Sequence, residues 1–293
     1  MFLGIDVGGT KLAAGLVSDD GTISRRCRQP IDQSDETSAI RQIIALLDSY
    51  GDIPTGIGVC IPGIADVKRK TVWAPNIKGW NHIPLAEMLS ARSSRPVVVE
   101  SDRNAAVLGE LFYGAARGLR DVVFLILGTG IGAGILSGGQ LVRGANDIGG
   151  AVGWIPVCVR GRRMHFEDIA AGPAIEHAAR ELFHQDTALP ELAELARRGN
   201  RPAIDLFEAA GEAIGVVLAM LVSTFNPELL VIGGGVSACW DLLSPSALAE
   251  LRLWSQPIAV SQVRVKVSQL NEDAGILGAA AVARGMTEAR LHT

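Results

Sequence analysis

The sequence predicts a two-domain α/β protein, and three observations carry that expectation. The chain has 293 residues, enough for two domains at about 150 residues each. Short apolar runs of strand length alternate with segments whose apolar residues recur at helical spacing. The opening pattern, an apolar strand, a Gly/Thr hairpin, a second apolar strand and a Gly turn over residues 2–21, returns over residues 124–139. The echo is one of pattern more than of identity.

The elements follow in order. Residues 2–7 are a short apolar run that reads as a strand, Gly8-Gly9-Thr10-Lys11 is a tight turn, and residues 12–17 form the returning strand. Asp19-Asp20-Gly21 signals a turn into a third strand at 22–26. Residues 38–50 carry Ile40, Ile43, Ile44 and Leu47 on one helical face, with Ser38 placed to cap. Residues 55–61 read as a buried strand ending in Pro62-Gly63, 84–90 as a short helix, 96–99 as a strand and 104–113 as a helix. The second glycine cluster, Gly128-Thr129-Gly130-Ile131-Gly132, joins strands at 122–127 and 133–136, and Ser137-Gly138-Gly139 turns again. Helices are expected at 172–184 and 203–224. A strand at 229–232 runs into Gly233-Gly234-Gly235, and a last helix begins near 275.

Composition narrows the function. Hydrophobic residues make up 48% and charged residues 20%, ordinary values for a globular chain with sizeable cores. Lys and Arg number 27 against 31 Asp and Glu, a net charge of −4. The broad basic footprint of a nucleic-acid binder is missing, so no nucleic-acid partner is expected. Cys27, Cys60, Cys158 and Cys239 lie far apart without a CxxC pair, which fits a reduced, cytoplasmic chain without disulfides. The opening MFLGIDVGGTK lacks the basic start and apolar stretch of a signal peptide. No run of 18 apolar residues points to a membrane span.

The glycines point to phosphate. A Gly/Thr hairpin lets backbone N–H groups face an anion because no Cβ blocks the approach, and Thr hydroxyls add donors. One such turn is commonly nothing more than a turn. Two inside repeated strand pairs, with a third glycine cluster after a strand, can converge on one polyphosphate. There is no GxxxxGK[ST], and the first cluster does not open a helix as GxGxxG, so the common nucleotide loops do not apply. Asp6 ends the first strand just before its glycines. It reads either as a turn cap or as the holder of a hydrated Mg²⁺ beside nucleotide phosphates. Asp102 stands where a strand meets a helix. It reads either as an N-cap or as the carboxylate that takes a proton during phosphoryl transfer to a hydroxyl.

Motifs in sequence order then resolve the choice. IDVGGTKLAAGLV (5–17), GVCIPG (58–63), APNIKGW (74–80), SDRNAAVLGE (101–110), LGTGIGAGI (127–135), EDIAAGPAI (167–175), NPELLVIGGGVS (226–237) and EDAGILGAA (272–280) span nearly the whole chain. Together they resemble the ROK family of sugar kinases, of the glucokinase and N-acetylmannosamine kinase kind, within the actin/hexokinase/heat-shock-chaperone ATPase superfamily. The resemblance implies the actin-like, ribonuclease H-like fold, two domains of βββαβαβα type with ATP and a sugar in the cleft between them. The smaller N-terminal domain is expected at 1–117 and the larger C-terminal one at 118–293, the last helix packing back on the first. The resemblance implies Asp102 as general base. Gly8, Gly9, Thr10, Lys11, Gly128, Thr129 and Gly130 would border the phosphates, and Gly233, Gly234 and Gly235 the adenosine. Asn76 and Glu167 match positions that hydrogen-bond the sugar. ATP and Mg²⁺ are the implied co-substrate and metal, and a homodimer the implied assembly. With no DNA-binding helix-turn-helix read ahead of residue 5, a repressor of this family is not expected.

The chain also departs from the family. The usual Asn-Asp is Ser101-Asp102, with Ser101 placed beside the acceptor. The family's Glu-x-Gly-His becomes Ala151-Val152-Gly153-Trp154. Of the family's zinc-binding His and three cysteines only Cys158 remains, with Arg160 and His165 at the other cysteine positions and Trp154 at the His, so no zinc is expected. Ring hydroxyls lose partners, and a buried hydroxyl without one costs roughly 1–3 kcal/mol. Trp154 offers an apolar face instead, suited to an acceptor other than free glucose: a modified or amino hexose, or a cyclitol. Arg103, where the family often has Ala, reads either as a surface residue or as a partner for an anionic substituent. The expected activity is ATP-dependent phosphorylation of such a hydroxyl. The alternative is a non-catalytic ATP- or sugar-binding regulator.

Overall fold

The first strand, β1 (Phe2–Val7), is buried along almost its whole length and turns back into β2 (Lys11–Val17), with Val7 opposite Leu12 and Phe2 opposite Val17. The computed structural model describes residues 1–51 and 54–291. β3 (Ile23–Pro30) pairs antiparallel with β2. It runs four residues further than its sequence suggests, because its Arg-rich, mostly exposed pattern is that of a sheet edge. α1 (Ser38–Tyr50) buries Ile40, Ile43, Leu46, Leu47 and Tyr50. β4 (Gly56–Ile61) lies parallel to β1. A small antiparallel sheet that the sequence did not announce follows, β5 (Ile64–Asp66), β6 (Thr71–Trp73) and β7 (Asn81–Ile83). α2 (Leu85–Ser93), β8 (Val97–Ser101) and α3 (Asp102–Tyr113) complete the run, and the main sheet reads β3-β2-β1-β4-β8.

The pattern then repeats. β9 (Val122–Leu127) and β10 (Ile131–Ser137) form the second glycine hairpin, and β11 (Gln140–Leu141) extends it. β12 (Pro156–Val159) and β13 (Arg162–His165) form a separate hairpin where the sequence suggested only a degraded metal loop. Its tip residues Arg160 and Gly161 both have positive φ, 50° and 77°, as the tight primed turns of hairpins require. α4 (Glu167–Ala170), α5 (Gly172–Phe183), α6 (Leu189–Arg197) and α7 (Arg201–Phe225) follow, then β14 (Leu229–Gly233), α8 (Trp240–Trp254), α9 (Pro257–Gln262) and β15 (Arg264–Val267). The second sheet reads β11-β10-β9-β14-β15, the same order and strand directions as the first. α7 is long and apolar enough to cross a membrane, but 61% of its most apolar stretch is buried inside the protein. It is a core helix apolar on nearly all sides.

Two compact units result: Met1–Gly118 with Arg143–Gly149 and Gln269–Thr293, and Leu119–Val142 with Gly150–Ser268. The first therefore includes residues 143–149 and 269–293, which lie beyond the boundary expected after residue 117. Residues 143–149 belong there because unit 1 holds them by hydrogen bonds, described below. The other segment carries α10 (Ala274–Leu291). It comes so close to β1 and β4 that a Cβ on Gly4 would overlap the Ile276 carbonyl, and one on Gly58 the Ala279 carbonyl. Only glycine permits this approach.

Candidate active site

Unit 1 gathers one group of the singled-out residues. In the β1–β2 turn the Gly8 N–H donates to the Lys11 carbonyl (2.8 Å). The N–H groups of Gly9 and Thr10 have no partner among the described residues, so the turn keeps donors for an anion. The Gly9 carbonyl accepts from Gln33 (2.6 Å) and the Thr10 carbonyl from the Ile31 N–H (3.1 Å), which fix the loop from behind. Asn76, exposed, lies beside it: a Cβ on Gly9 would sit 3.3 Å from the Asn76 Cβ.

Asp6 ends β1 just ahead of this turn. The Cys60 thiol, buried in β4, donates to its Oδ1 (3.2 Å). Gly275, at the start of α10, leaves no room for a Cβ against the same carboxyl. Burial raises the Asp6 pKa, while the Cys60 hydrogen bond and the charges of Lys11 and Arg28 oppose the rise. Burial also drives the Cys60 thiol well above its ordinary value, with Asp6 adding to the effect. Sequence reading passed over Cys60 and Gly275. Their motifs, GVCIPG and EDAGILGAA, were visible, but only the fold brings them to Asp6.

Asp102 is the first residue of α3, and the N-cap position belongs to Ser101. This corrects the cap reading of Asp102. Its Oδ1 accepts the Arg103 N–H (2.8 Å). The residue is exposed, so a ligand can reach it, yet enough protein surrounds the carboxyl to push its pKa up to about 6 by desolvation. Asp6 adds to the rise, and the Arg103 N–H and guanidinium oppose it. Ser101 is buried, and its hydroxyl donates to Glu100 Oε1 (3.3 Å). Towards an acceptor, Ser101 therefore offers the lone pairs of its hydroxyl and not its proton. Glu100, 2% exposed, also accepts the Ser101 N–H (2.9 Å) and Asn104 Nδ2 (3.0 Å), and its other oxygen pairs with Arg143. A buried carboxylate so fully partnered anchors the strand-to-helix junction that presents Asp102.

Arg103 does not wait for an anion. Its Nε donates to the Gly149 carbonyl (3.1 Å) and its Nη2 to the Asp147 carbonyl (2.9 Å). The Asp147 carboxylate accepts the Val67 N–H (3.1 Å), and Lys68 Nζ donates to the Ala145 carbonyl (3.2 Å). These bonds fasten residues 143–149 within unit 1.

Unit 2 gathers the rest. In the β9–β10 turn Gly128 N–H donates to the Gly130 carbonyl (3.0 Å), and the N–H groups of Thr129 and Gly130 have no partner among the described residues. Glu167, at the start of α4, accepts the Ile131 N–H on Oε2 (2.6 Å) and so braces this turn. Its Oε1 has no hydrogen-bond partner among the described residues. The glycines after β14 reach the same place: Gly234 has φ 86°, and a Cβ there would overlap the Leu127 carbonyl. Trp154 is 72% exposed, its ring centroid 5.4 Å from that of His165. Cys158 lies opposite Arg163 on the β12–β13 hairpin and His165 opposite Pro156, so the two are not a directly opposed pair. Among the described residues, no group of three or more His, Cys, Asp or Glu side chains is placed to hold a metal. The hairpin is fixed instead by Val157 and Val159 in the core and by Arg160 against Glu208 and Glu212 of α7.

Comparison with known proteins gives one consistent answer. The model of the ROK family matches residues 2–286. A glucokinase from Thermotoga maritima is 34% identical, over 96% of this chain and 96% of its own length. An N-acetylmannosamine kinase from Citrobacter koseri is 32% identical, over 97% and 98%. Among solved structures, a ROK family glucokinase from Streptomyces griseus in complex with glucose and AMPPNP superposes with a TM-score of 0.79 at 33% identity, covering 97% of this chain and 99% of that one. The doubled sheet is the actin-like ATPase fold of these kinases.

Proposed function

The chain belongs to the ROK family, and from that membership we propose that it transfers the terminal phosphoryl group of ATP to a hydroxyl of a sugar or sugar-like polyol, as a cytoplasmic homodimer. The observation that carries the reading is Asp102: a reachable carboxylate at the head of α3, with a pKa of about 6, in the unit that also holds Asp6 and the β1–β2 turn. Near neutral pH such a group is ionised yet close enough in basicity to accept a proton in the transition state.

The acceptor hydroxyl gives its proton to Asp102 while its oxygen attacks the γ-phosphorus. The bond to the bridging oxygen breaks, and ADP leaves with that electron pair. The unpartnered N–H groups of Gly9 and Thr10, and those of Thr129 and Gly130, stabilise charge on phosphate oxygens. Lys11, exposed beside the first turn, adds a cation, and Gly233, Gly234 and Gly235 border the nucleoside. Asp6, a single carboxylate next to that turn, fits a Mg²⁺ held through water, whose charge would offset that of the phosphates when bound. Asn76, Trp154 and the free Oε1 of Glu167 address the acceptor.

The apolar, exposed face of Trp154 favours an acceptor with an acyl group, a deoxy position or a C–H-rich ring: a modified or amino hexose, or a cyclitol. The test is ADP formation against hexoses including glucose, 2-amino and 2-acetamido hexoses, deoxy sugars and cyclitols. One strong acceptor of the modified kind is expected. Free glucose as the best acceptor would overturn the substrate class but not the reaction. The residues at Ala151 and Trp154 favour a second reading, a ligand-binding regulator. Silence across the panel with ATP still raising Tm would select it.

A further inference from the structure

Residues 143–149 lie within one Arg side chain of Asp102, since Arg103 follows the base directly and bonds the carbonyls of Asp147 and Gly149. A hexose whose hydroxyl meets Asp102 spans a similar distance, which puts the segment within reach of a bound ring. Asp147, only 7% exposed, has φ 56°, a left-handed conformation that Asp adopts more readily than most non-glycine residues. Its carboxylate is bound by the Val67 N–H and lies 3.8 Å from Arg143 Nη1. Ala145, Asn146, Asp147 and Ile148 also line a cavity of about 390 Å³ against β5, β6 and β7, which Asp102 does not line.

We propose that Arg103 is a positioning residue for the acceptor: its forked guanidinium, bonded to the Asp147 and Gly149 carbonyls, ties the helix turn that carries the base to the segment that walls the acceptor's side. The proposal rests on the kinase reading and adds to it a residue that the family motif, often Ala here, does not supply. Arg is suited to the task and Lys is not, because two carbonyls are held at once by donors in a rigid plane.

The experiment measures acceptor and ATP kinetics of wild type, Arg103→Ala and Arg103→Lys, with hydrogen exchange over residues 143–149. Arg103→Ala is expected to raise the acceptor KM about tenfold, the loss of two hydrogen bonds to the segment. The ATP KM should stay unchanged, and kcat should move less than the acceptor KM. Arg103→Lys keeps the charge and should recover little of the acceptor KM. Exchange over 143–149 should accelerate in both. A wild-type acceptor KM in both variants, or equal shifts in both KM values, overturns the proposal. If Arg103→Ala does not fold, Arg103→Lys decides alone. If the wild type phosphorylates no acceptor, the kinase reading falls, whereas the hold on 143–149 stands or falls on the exchange rates.

Discussion

The two glycine turns are built alike and surrounded differently. Each closes with one backbone hydrogen bond and leaves two N–H groups for an anion, and each sits at the same place in a sheet of the same order. Two residues before its first glycine, however, β1 carries Asp6, where β9 carries Ile126. The carboxylate beside the second turn, Glu167, comes from α4 and gives one oxygen to the Ile131 N–H. The duplicated fold thus supplies an anion cradle twice but a carboxylate at the end of its first strand once. Carboxylates beside phosphate are tolerable where a cation or a reacting proton intervenes, and on the proposed reading unit 1 does the chemistry while unit 2 holds.

The sharpest way to break this contrast is to neutralise the acid side. Asp102→Asn should lower turnover by about 10²–10⁴-fold while ATP still raises Tm. Near-normal turnover would refute the base assignment. In the wild type, kcat/KM should fall below a pH of about 6, where Asp102 takes up a proton before it can act. The same shift has a stability sign. A folded pKa above the ordinary 3.8 means that the native state prefers the protonated carboxyl, so stability is lost as pH rises from that value through about 6. Asp102→Asn, which cannot ionise, should therefore have the higher Tm near pH 8 and no advantage near pH 4. A variant less stable at the higher pH would contradict the desolvation argument.

The holding side is tested by Glu167→Ala, which strips the Ile131 N–H of its acceptor. A loss of about 1–3 kcal/mol in unfolding free energy is expected, together with a higher ATP KM, and Glu167→Gln, which keeps an acceptor oxygen, should recover most of both. The smallest effect on stability is expected at Trp154. At 72% exposure, Trp154→Ala should change stability by no more than about 0.5 kcal/mol, and denaturant titration checks this. Its effect should appear in the acceptor KM, and an unchanged value would remove Trp154 from the site.

The parts legible in the sequence were those written in local pattern. The glycine hairpins, α1 with its Ile40, Ile43 and Leu47 face, and the apolar core of α7 all announce themselves within one window. β3 runs past the strand its sequence predicts because Arg25, Arg26 and Arg28 hide an edge strand among charges. β5, β6 and β7 are three residues each, too short for any periodicity. The β12–β13 hairpin reads in sequence only as the remnant of a metal loop, since Val157 and Val159 enter a core and Arg160 meets α7 at residues some fifty positions away. The same holds for the site. Asp6 and Asp102 are visible as carboxylates at strand ends, but Cys60 under Asp6, Ser101 turned to Glu100 and Arg103 on the 143–149 carbonyls are decided by tertiary contacts alone.

The close approach of α10 to Gly4 and Gly58 has a consequence for how the protein is made. Domains usually fold as they leave the ribosome, the N-terminal one first. Here the first-synthesised sheet lacks the helix that covers β1 and β4 until residues 274–291 have been translated, after every residue of unit 2. The later-made unit can therefore close while the earlier one still waits, its glycine-lined face open for most of the time the chain is being synthesised.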